Sequence, residues 1–312
     1  MKTYLGKALN FFTTLFLVTL VTFLTFQVLP GDPATAILGA DAEEAQIIQK
    51  RAELGLDQSL YIRYFKWIGG VLHGDLGNSY RYDQKVFDLI KRSLKTTAAL
   101  AFLSLLITVV LGLFFGILFA ATGKNRFFIA LSTISQIWVS IPSFCTGILL
   151  ILVFTVTFNL LPSVDYNGPS SLILPSFAIA LGSSSILCRY IKTSIENELK
   201  QDYVRTARSK GLNETQVIFR HVLRNALLPS ITTLGLITAD IFGGSLIVEK
   251  VFSLPGIGSL IIKSISDRDF PLIQGLTLYL AFLTLFCNFA VDMLYSIIDP
   301  RTKSSRNKEA AK

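Results

Sequence analysis

The chain has 312 residues, of which 51% are hydrophobic and 16% are charged, and its mean hydropathy is +0.55. Soluble domains carry about 25% charged residues, so this composition excludes a disordered chain, a collagen-like repeat and a disulfide-rich secreted domain, and it disfavours a water-soluble globule. The net charge of +8 comes from 29 Lys and Arg against 21 Asp and Glu. On an apolar chain, such an excess indicates basic cytoplasmic loops rather than nucleic-acid binding.

Six stretches that are nearly free of charged residues predict six transmembrane helices. Each is long enough for a spanning helix, which requires about 20 mostly apolar residues. The stretches are Ala8–Gly31, Thr96–Gly123, Phe127–Val164, Tyr166–Cys188, Asn225–Val248 and Phe270–Val291. The first is too long for the apolar core of a cleavable signal peptide, and no cleavage-site pattern follows it, so we expect it to remain as a span.

The loop charges decide whether the long third stretch crosses once or twice. With one crossing, the eight Lys and Arg of 189–224 lie on the same side as the five of the tail, and 159–165 on the opposite side has none. This distribution follows the positive-inside rule. We therefore predict an all-α, polytopic membrane protein with six spans and both termini in the cytoplasm.

These spans divide the chain into four predicted segments. They are an N-terminal tail with the first span (1–31), an extracytoplasmic helical loop (32–95), a five-span core (96–300) and a basic cytoplasmic tail (301–312). In the extracytoplasmic loop, Asp41 and Glu44 have the spacing of a capping box and Gly55 can end the helix that follows. A second helix is predicted there by an apolar stripe formed by Tyr61, Phe65, Ile68 and Leu72.

The cytoplasmic loop at 196–229 is patterned as two helices joined by an elbow. Glu196–Lys210 contains no Gly or Pro and predicts a helix that Gly211 ends. Asn213 and Gln216 then have capping-box spacing for a second helix, which has apolar rows and an opposite polar row. Such an elbow either docks onto another protein or lies on anionic lipid.

Motifs along the whole chain resemble one family. The loop segments are Asp202-Tyr-Val-Arg-Thr-Ala-Arg-Ser-Lys-Gly-Leu212 and Arg220-His-Val-Leu-Arg-Asn-Ala-Leu-Leu-Pro229. The shorter motifs are Leu29-Pro-Gly-Asp-Pro33, Leu54-Gly-Leu-Asp57, His73-Gly-Asp-Leu-Gly77, Pro255-Gly-Ile-Gly258 and Arg268-Asp-Phe-Pro271. In this order and spacing they are similar to the permeases of ATP-binding-cassette importers, and more narrowly to the dipeptide, oligopeptide and nickel branch. The two loop segments resemble the EAA loop of that family.

The resemblance implies a type I importer permease in the bacterial plasma membrane. It implies a heterodimer with a second, homologous permease, two ATPase subunits that hold ATP and Mg²⁺, and an extracytoplasmic binding protein. For this chain it implies a transport subunit with no catalytic residue, no metal and no cofactor of its own. The implied ATPase-coupling residues are Tyr203, Arg205, Thr206, Ala207, Gly211, Arg220, Arg224 and Pro229.

The chain departs from the general pattern at the EAA triplet, which reads Arg205-Thr206-Ala207, and in a longer gap from Gly211 to Pro229. Both features are similar to the peptide and nickel branch. A Walker A sequence is absent, because the nearest string, Gly116-Ile-Leu-Phe-Ala-Ala-Thr-Gly-Lys-Asn125, has the wrong spacing and lacks the final Ser or Thr. ATP hydrolysis is therefore expected on partner subunits.

Asp240 stands out because a carboxylate inside a span costs about 2.5–3.5 kcal/mol on insertion scales. It is expected to face a translocation path, or else to be an acid satisfied near the outer interface or buried against the partner permease. The pair Gly243 and Gly244 that follows is either a gate hinge or a site of simple close packing. Gly112 and Gly116 have the spacing of close helix packing. A hydrogen-bonded structural network is expected around Asn288, Asp292, Tyr295 and Asp299.

Two other function classes fit the sequence less well. A self-contained secondary transporter predicts an inverted repeat with broken helices in matching halves, and no such repeat is evident. An intramembrane enzyme requires a nucleophile with its base or a set of metal ligands, and neither His73 nor His221 lies within a span. The expected function is import of small peptides, with nickel or a metal chelate as the alternative substrate.

Overall fold

The computed structural model of the chain describes residues 2–28, 32–39, 42–123, 125–161 and 168–298. Almost all of them are helical, and an isolated bridge between Asn78 and Lys85 is the extended pairing found among them. The α-helices are α1 (Lys2–Val28), α2 (Pro33–Leu38), α3 (Glu44–Glu53), α4 (Leu60–Leu72), α5 (Val86–Ala121), α6 (Arg126–Ser135), α7 (Ile137–Ser140), α8 (Ser143–Leu150), α9 (Ile173–Glu198), α10 (Asp202–Ser209), α11 (Glu214–Val217), α12 (Leu223–Ala226), α13 (Leu228–Val251), α14 (Ile257–Ser266) and α15 (Phe270–Ile298). The predicted all-α class is confirmed.

Four helices in the described part of the chain are long and apolar enough to cross a bilayer. They are Val86–Ala121, Pro169–Glu198, Leu228–Val251 and Phe270–Ala290, and a bent pair of helices brings the number to five if it counts as one span. The 27 residues of α1 extend about 40 Å at 1.5 Å per residue. The total of six spans and their orientation stays a prediction.

The third predicted span is not one continuous helix. Its two halves, Arg126–Ser140 and Ser143–Thr157, are bent by 106° relative to each other. Ile141 between them is extended, with φ −92° and ψ 121°. The ring of Pro142 explains the break, because it disfavours helical backbone at the preceding residue and leaves no N–H for a helical hydrogen bond.

The described residues form two compact units, each considered by itself. Unit 1 consists of Met1–Thr97 with Pro255–Leu285, and unit 2 of Ala98–Leu254 with Phe286–Lys312.

Unit 1 is organised around the buried carboxylate of Asp269. It accepts hydrogen bonds from the Ser79 hydroxyl, from the backbone N–H groups of Tyr80 (3.1 Å) and Arg81 (3.2 Å), and from Leu272 N–H (3.3 Å). The last bond caps the first turn of α15. One carboxylate therefore fixes the 79–81 turn to the start of a long helix 190 residues away in sequence.

The helices of the predicted extracytoplasmic loop form, but two local details differ from expectation. The N-cap of α3 is Glu43, without a side-chain cap, and Asp41 lies outside the described residues. In α4, most of the predicted apolar stripe is exposed, whereas Tyr64 is buried against Phe23. The Tyr64 hydroxyl lies 3.0 Å from Thr19 Oγ1 on α1, so α4 packs through the Tyr64 side chain rather than through the predicted apolar stripe.

Unit 2 is centred on α9, against which α8 and α13 pack. Its fully buried side chains include Leu187 and Ile191. Gly112 and Gly116 lie opposite these two residues, and a Cβ on either glycine would approach a side-chain atom of Leu187 to 2.7 Å or of Ile191 to 2.9 Å. Close packing at this glycine pair is thus confirmed.

Candidate functional site

The loop at 196–229, which the loop charges predict to be cytoplasmic, begins with a break that the sequence pattern did not predict. α9 ends at Glu198 and α10 begins at Asp202, with Gln201 in an extended conformation between them. The Tyr203 hydroxyl donates a hydrogen bond to Glu198 across the break, and Asn225 Nδ2 lies 3.4 Å from the same hydroxyl. The expected continuous helix over Glu196–Lys210 was wrong because these contacts favour a turn at a site without Gly or Pro.

The elbow after α10 forms as predicted. Gly211 has φ +82°, a left-handed conformation that glycine adopts without steric cost. Asn213 and Gln216 form the complete capping box at the start of α11. Arg208 and Glu214 join the two sides of the elbow with hydrogen bonds of 2.8 and 3.0 Å, a bidentate geometry that holds both side chains in one orientation.

The second arm of the elbow is less regular than an α-helix. A π-helical turn, Ile218–Val222, separates α11 from α12, and such turns often occur at functional sites. The inward face of the elbow consists of buried apolar residues of the unit 2 core: Val204, Ala207, Val217, Val222 and Ala226. In addition, the Ser194 hydroxyl of α9 donates to the Ala226 carbonyl at 2.8 Å. The loop is therefore part of the unit 2 core rather than a free surface segment.

The outward face of the elbow is basic and carries one prominent aromatic ring. The side chain of Arg205 is 83% exposed, and its contact with Asp202 is 3.9 Å long. Arg220 and Arg224 are also exposed. Phe219 directly precedes Arg220 in the chain, and 60% of its surface is exposed. Of two apolar rows on this helix, the structure buries the row that contains Val222 and leaves Phe219 outside.

Phe219 is the member of this face that sequence reasoning missed. The sequence pattern placed Phe219 in one of two apolar rows of the helix, and nothing in that pattern indicated that this row would be exposed. The signal was its position beside Arg220 and three residues after Gln216, on the border of the polar row. A ring exposed among three arginines can insert into an apolar pocket of a partner while the guanidinium groups pair with acidic rim residues.

The other predicted coupling residues lie at distinct places in the elbow. Thr206 is exposed and donates to the Asp202 carbonyl at 3.1 Å, whereas Ala207 is buried. Pro229 stands in the first turn of α13, a position that requires no N–H donor. Burial and the Glu198 hydrogen bond raise the pKa of Tyr203, so this phenol stays a neutral donor.

Asp240 and Gly243 share one uncovered face of α13. Both are exposed, with Leu236 and Ile247 on the same side, while Ile241 and Val248 face the core. A Cβ on Gly243 would meet no atom within 4 Å, and one on Gly244 would lie 3.8 Å from Ser143 Oγ. The acid is thus not satisfied within the core of unit 2.

The predicted network in the last span stays a prediction. Asn288 is exposed on α15, and the side chains of Asp292 and Tyr295, together with Asp299, lie outside the described residues. Among the described residues, no group of three or more His, Cys, Asp or Glu side chains could hold a metal ion.

Two family models match the chain. The model described as "Binding-protein-dependent transport system inner membrane component" matches residues 109–304. A model for the N-terminal part of such membrane components matches residues 1–101.

Curated relatives match over almost the whole chain. A putative peptide transport system permease protein of Brucella abortus (strain 2308) is 38% identical over 295 residues, covering 92% of this chain and 94% of the relative. A glutathione transport system permease protein of Escherichia coli (strain K12) is 39% identical over 295 residues, covering 94% of this chain and 96% of the relative.

Solved structures share the fold at lower sequence identity. An inward-facing methionine ABC transporter chain aligns with a TM-score of 0.57 and 17% identity, covering 68% of this chain and 97% of that chain. A chain of an amino acid ABC transporter aligns with a TM-score of 0.53 and 22% identity, covering 69% and 94%.

Proposed function

We propose that this chain, which belongs to the inner membrane components of binding-protein-dependent transport systems, imports short peptides as the permease subunit of an ATP-binding-cassette importer. It is a transport subunit of the inner membrane and not an enzyme. The observation that carries the peptide assignment is its 38–39% identity over nearly full length to permeases named for peptide and glutathione transport. These relatives do not favour nickel as the substrate.

Membership of the family implies ATPase and substrate-binding-protein partners. We infer a more specific assembly, in which the chain forms a heterodimer with a second permease and the pair binds two ATPase subunits. In this assembly ATP and Mg²⁺ are held by the ATPases, and this chain binds no cofactor. The uncovered face of α13 with Asp240 and Gly243 is the surface that the second permease would meet across the translocation path.

We assign coupling to the outward face of the elbow. Its support is the combination of the exposed Phe219 ring with Arg205, Arg220 and Arg224 on a loop whose other face is buried. Such a face suits a cleft on a protein better than a lipid surface, because two exposed aromatic rings, Phe219 and Tyr203, give an interfacial helix little apolar area to bury. The Ser194–Ala226 hydrogen bond would carry a displacement of the elbow into α9.

The substrate assignment is tested with the complete importer in proteoliposomes. Uptake of a labelled dipeptide should require ATP and the binding protein, and unlabelled glutathione should compete with it. Labelled Ni²⁺, free or chelated by histidine, serves as the matched alternative substrate and should not accumulate. Nickel uptake without peptide uptake would contradict the assignment.

A further inference from the structure

Unit 1 contains a polar cavity that the proposed function does not use. Its volume is about 270 Å³, and it lies among α4, the turns at 54–58 and 75–80, and the start of α15. Small-molecule sites usually occupy about 300–1,000 Å³, so this cavity lies just below that range and suits only a small ligand. Phe23, Leu76, Phe270 and Pro271 supply apolar walls.

Hydrogen-bond donors are concentrated in the cavity lining. Arg63, Lys66 and Trp67 all line it from α4. The Trp67 indole nitrogen is buried and has no hydrogen-bond partner among the described residues. An indole N–H can only donate, and a buried donor without an acceptor costs about 1–3 kcal/mol. This nitrogen is closed to solvent, so the donors from α4 that can reach a ligand in the cavity are those of Arg63 and Lys66.

Gln274 and Tyr80 also line the cavity. Gln274, only 7% exposed, lines the cavity from α15. Burial raises the pKa of Tyr80, with the nearby Asp269 acting in the same direction and Arg63 opposing it, so the phenol remains protonated. A ligand that fits this lining has to present oxygen acceptors, and a negative charge would be attracted by Arg63 and Lys66.

The cavity also contains an acid. Asp75 lines it while its Oδ1 accepts the Gly77 N–H at 2.9 Å. A carboxylate in the site disfavours binding of inorganic phosphate or of a lipid headgroup phosphate, because like charges repel. A zwitterion with an apolar body matches all three features of the lining: two cations, one acid and apolar walls.

We propose that this cavity is a binding site for a short zwitterionic peptide, with the peptide carboxylate at Arg63 and Lys66 and its ammonium group toward Asp75. The inference rests on the proposed function, since peptides are the substrate class assigned above. It adds a place on this chain where the peptide is held, formed by the loop predicted to be extracytoplasmic together with residues of α1 and the start of α15.

The test uses the fact that the chain has two tryptophans, Trp67 and Trp138. In the full-length Trp138→Phe protein, purified in an uncharged detergent, Trp67 is the chain's single fluorophore of this type. Titration with the dipeptide alanyl-leucine should shift the Trp67 emission in a saturable manner. The same peptide with an amidated carboxyl terminus should bind at least tenfold more weakly.

Variants separate the cavity from general charge effects. Arg63→Gln should weaken the dipeptide response at least tenfold, and Lys66→Gln, at an exposed position, should weaken it several-fold if Arg63→Gln fails to fold. Arg81→Gln is the matched control, because this exposed arginine is not part of the lining and should leave the response unchanged.

Three results would overturn the proposal. They are no emission change with alanyl-leucine, equal binding of the amidated peptide, or an equal response to inorganic phosphate or to phosphatidylglycerol micelles. If the complete importer takes up peptide but the Trp67 emission does not change with peptide, the cavity assignment is wrong and the proposed function stands. A peptide-responsive Trp67 in an importer that takes up no peptide would instead remove the proposed function and retain the site.

Discussion

Asp240 lies on a face of α13 that the other helices of unit 2 do not cover. A carboxylate within a span requires water or a polar partner, because its insertion into hydrocarbon costs about 2.5–3.5 kcal/mol. The uncovered face also carries Gly243, so a partner helix or a substrate could approach the backbone closely there. Its neighbours Leu236 and Ile247 are apolar, which leaves the acid as the polar feature of the face.

Asp240→Asn should lower uptake several-fold per assembled complex, with a larger loss for cationic than for neutral peptides. The reason is that only a cationic side chain gains from the carboxylate in a path of low dielectric constant. The measurement is uptake divided by the amount of assembled complex. If the carboxylate instead pairs with a polar group of the second permease, recovery of the heterodimer should fall while the surviving complexes transport normally. Unchanged uptake and unchanged assembly would remove Asp240 from the path.

Asp269 has a structural role that a residue-level experiment can isolate. Asp269→Ala should destabilise the protein by about 3 kcal/mol or more, because several donors lose a charged acceptor and buried ones remain unsatisfied. The loss of stability is measured by heating the purified chain and recording the fraction that remains folded by fluorescence-detected size-exclusion chromatography. Asp88→Ala, at an exposed position in the first turn of α5, is the control, with an expected loss of about 0.3–1 kcal/mol. Similar losses in both variants would contradict the role given to Asp269.

At the scale of elements, the elbow formed by α10, α11 and α12 combines a rigid interior with an exposed basic face. Its rigidity comes from the capping box and from the Arg208–Glu214 pair. Its exposed face contributes nothing to the core of unit 2, so substitutions there can change coupling without unfolding the chain.

Arg205→Glu and Phe219→Ala should each preserve membrane insertion but reduce the stimulation of ATP hydrolysis by the loaded binding protein. Charge reversal would oppose an acidic rim on the ATPase, and removal of the ring would leave the proposed pocket on the ATPase empty. Stimulated ATP hydrolysis and co-purification of the ATPase are measured in the reconstituted complex. Thr215→Ala, exposed at the start of the second arm, serves as a control. Wild-type stimulation in both coupling variants would favour lipid contact over docking.

The contact between α5 and α9 depends on small side chains. Gly116→Ala should destabilise unit 2, since the new Cβ would lie 2.9 Å from Ile191 side-chain atoms and 3.1 Å from the Cys188 carbonyl oxygen. We expect a cost of about 1–3 kcal/mol from overpacking. Gly243→Ala is a matched control, because its Cβ would enter open space and alanine favours helix. Equal thermal stability of the two variants would argue against close packing at Gly116.

At the scale of the whole molecule, features set by local chemistry could be predicted and features set by distant contacts could not. The elbow at Gly211 and the capping box at Asn213 depend on neighbouring residues alone. The turn before α10, by contrast, depends on a Tyr203 contact with Asn225, 22 residues away. The exposure of Phe219 depends on which of two equivalent apolar rows the core accepts. Pro142 was a local signal for the bend in the third span, but hydropathy alone does not distinguish a straight span from a broken one.

The bend makes the topology of the whole chain depend on the helix pair between Arg126 and Thr157. If the pair crosses the membrane, the eight Lys and Arg of 189–224 lie in the cytoplasm; if it is re-entrant, they lie outside. The positive-inside rule favours the crossing. In a protein whose three native cysteines are replaced by serine or alanine, Gly123→Cys and Lys210→Cys should therefore be protected from an impermeant thiol reagent added to intact cells. Asn167→Cys should react with it, and all three should react after the membrane is permeabilised. Labelling of Gly123→Cys and Asn167→Cys from the same side would show a re-entrant pair and reduce the predicted number of spans to five.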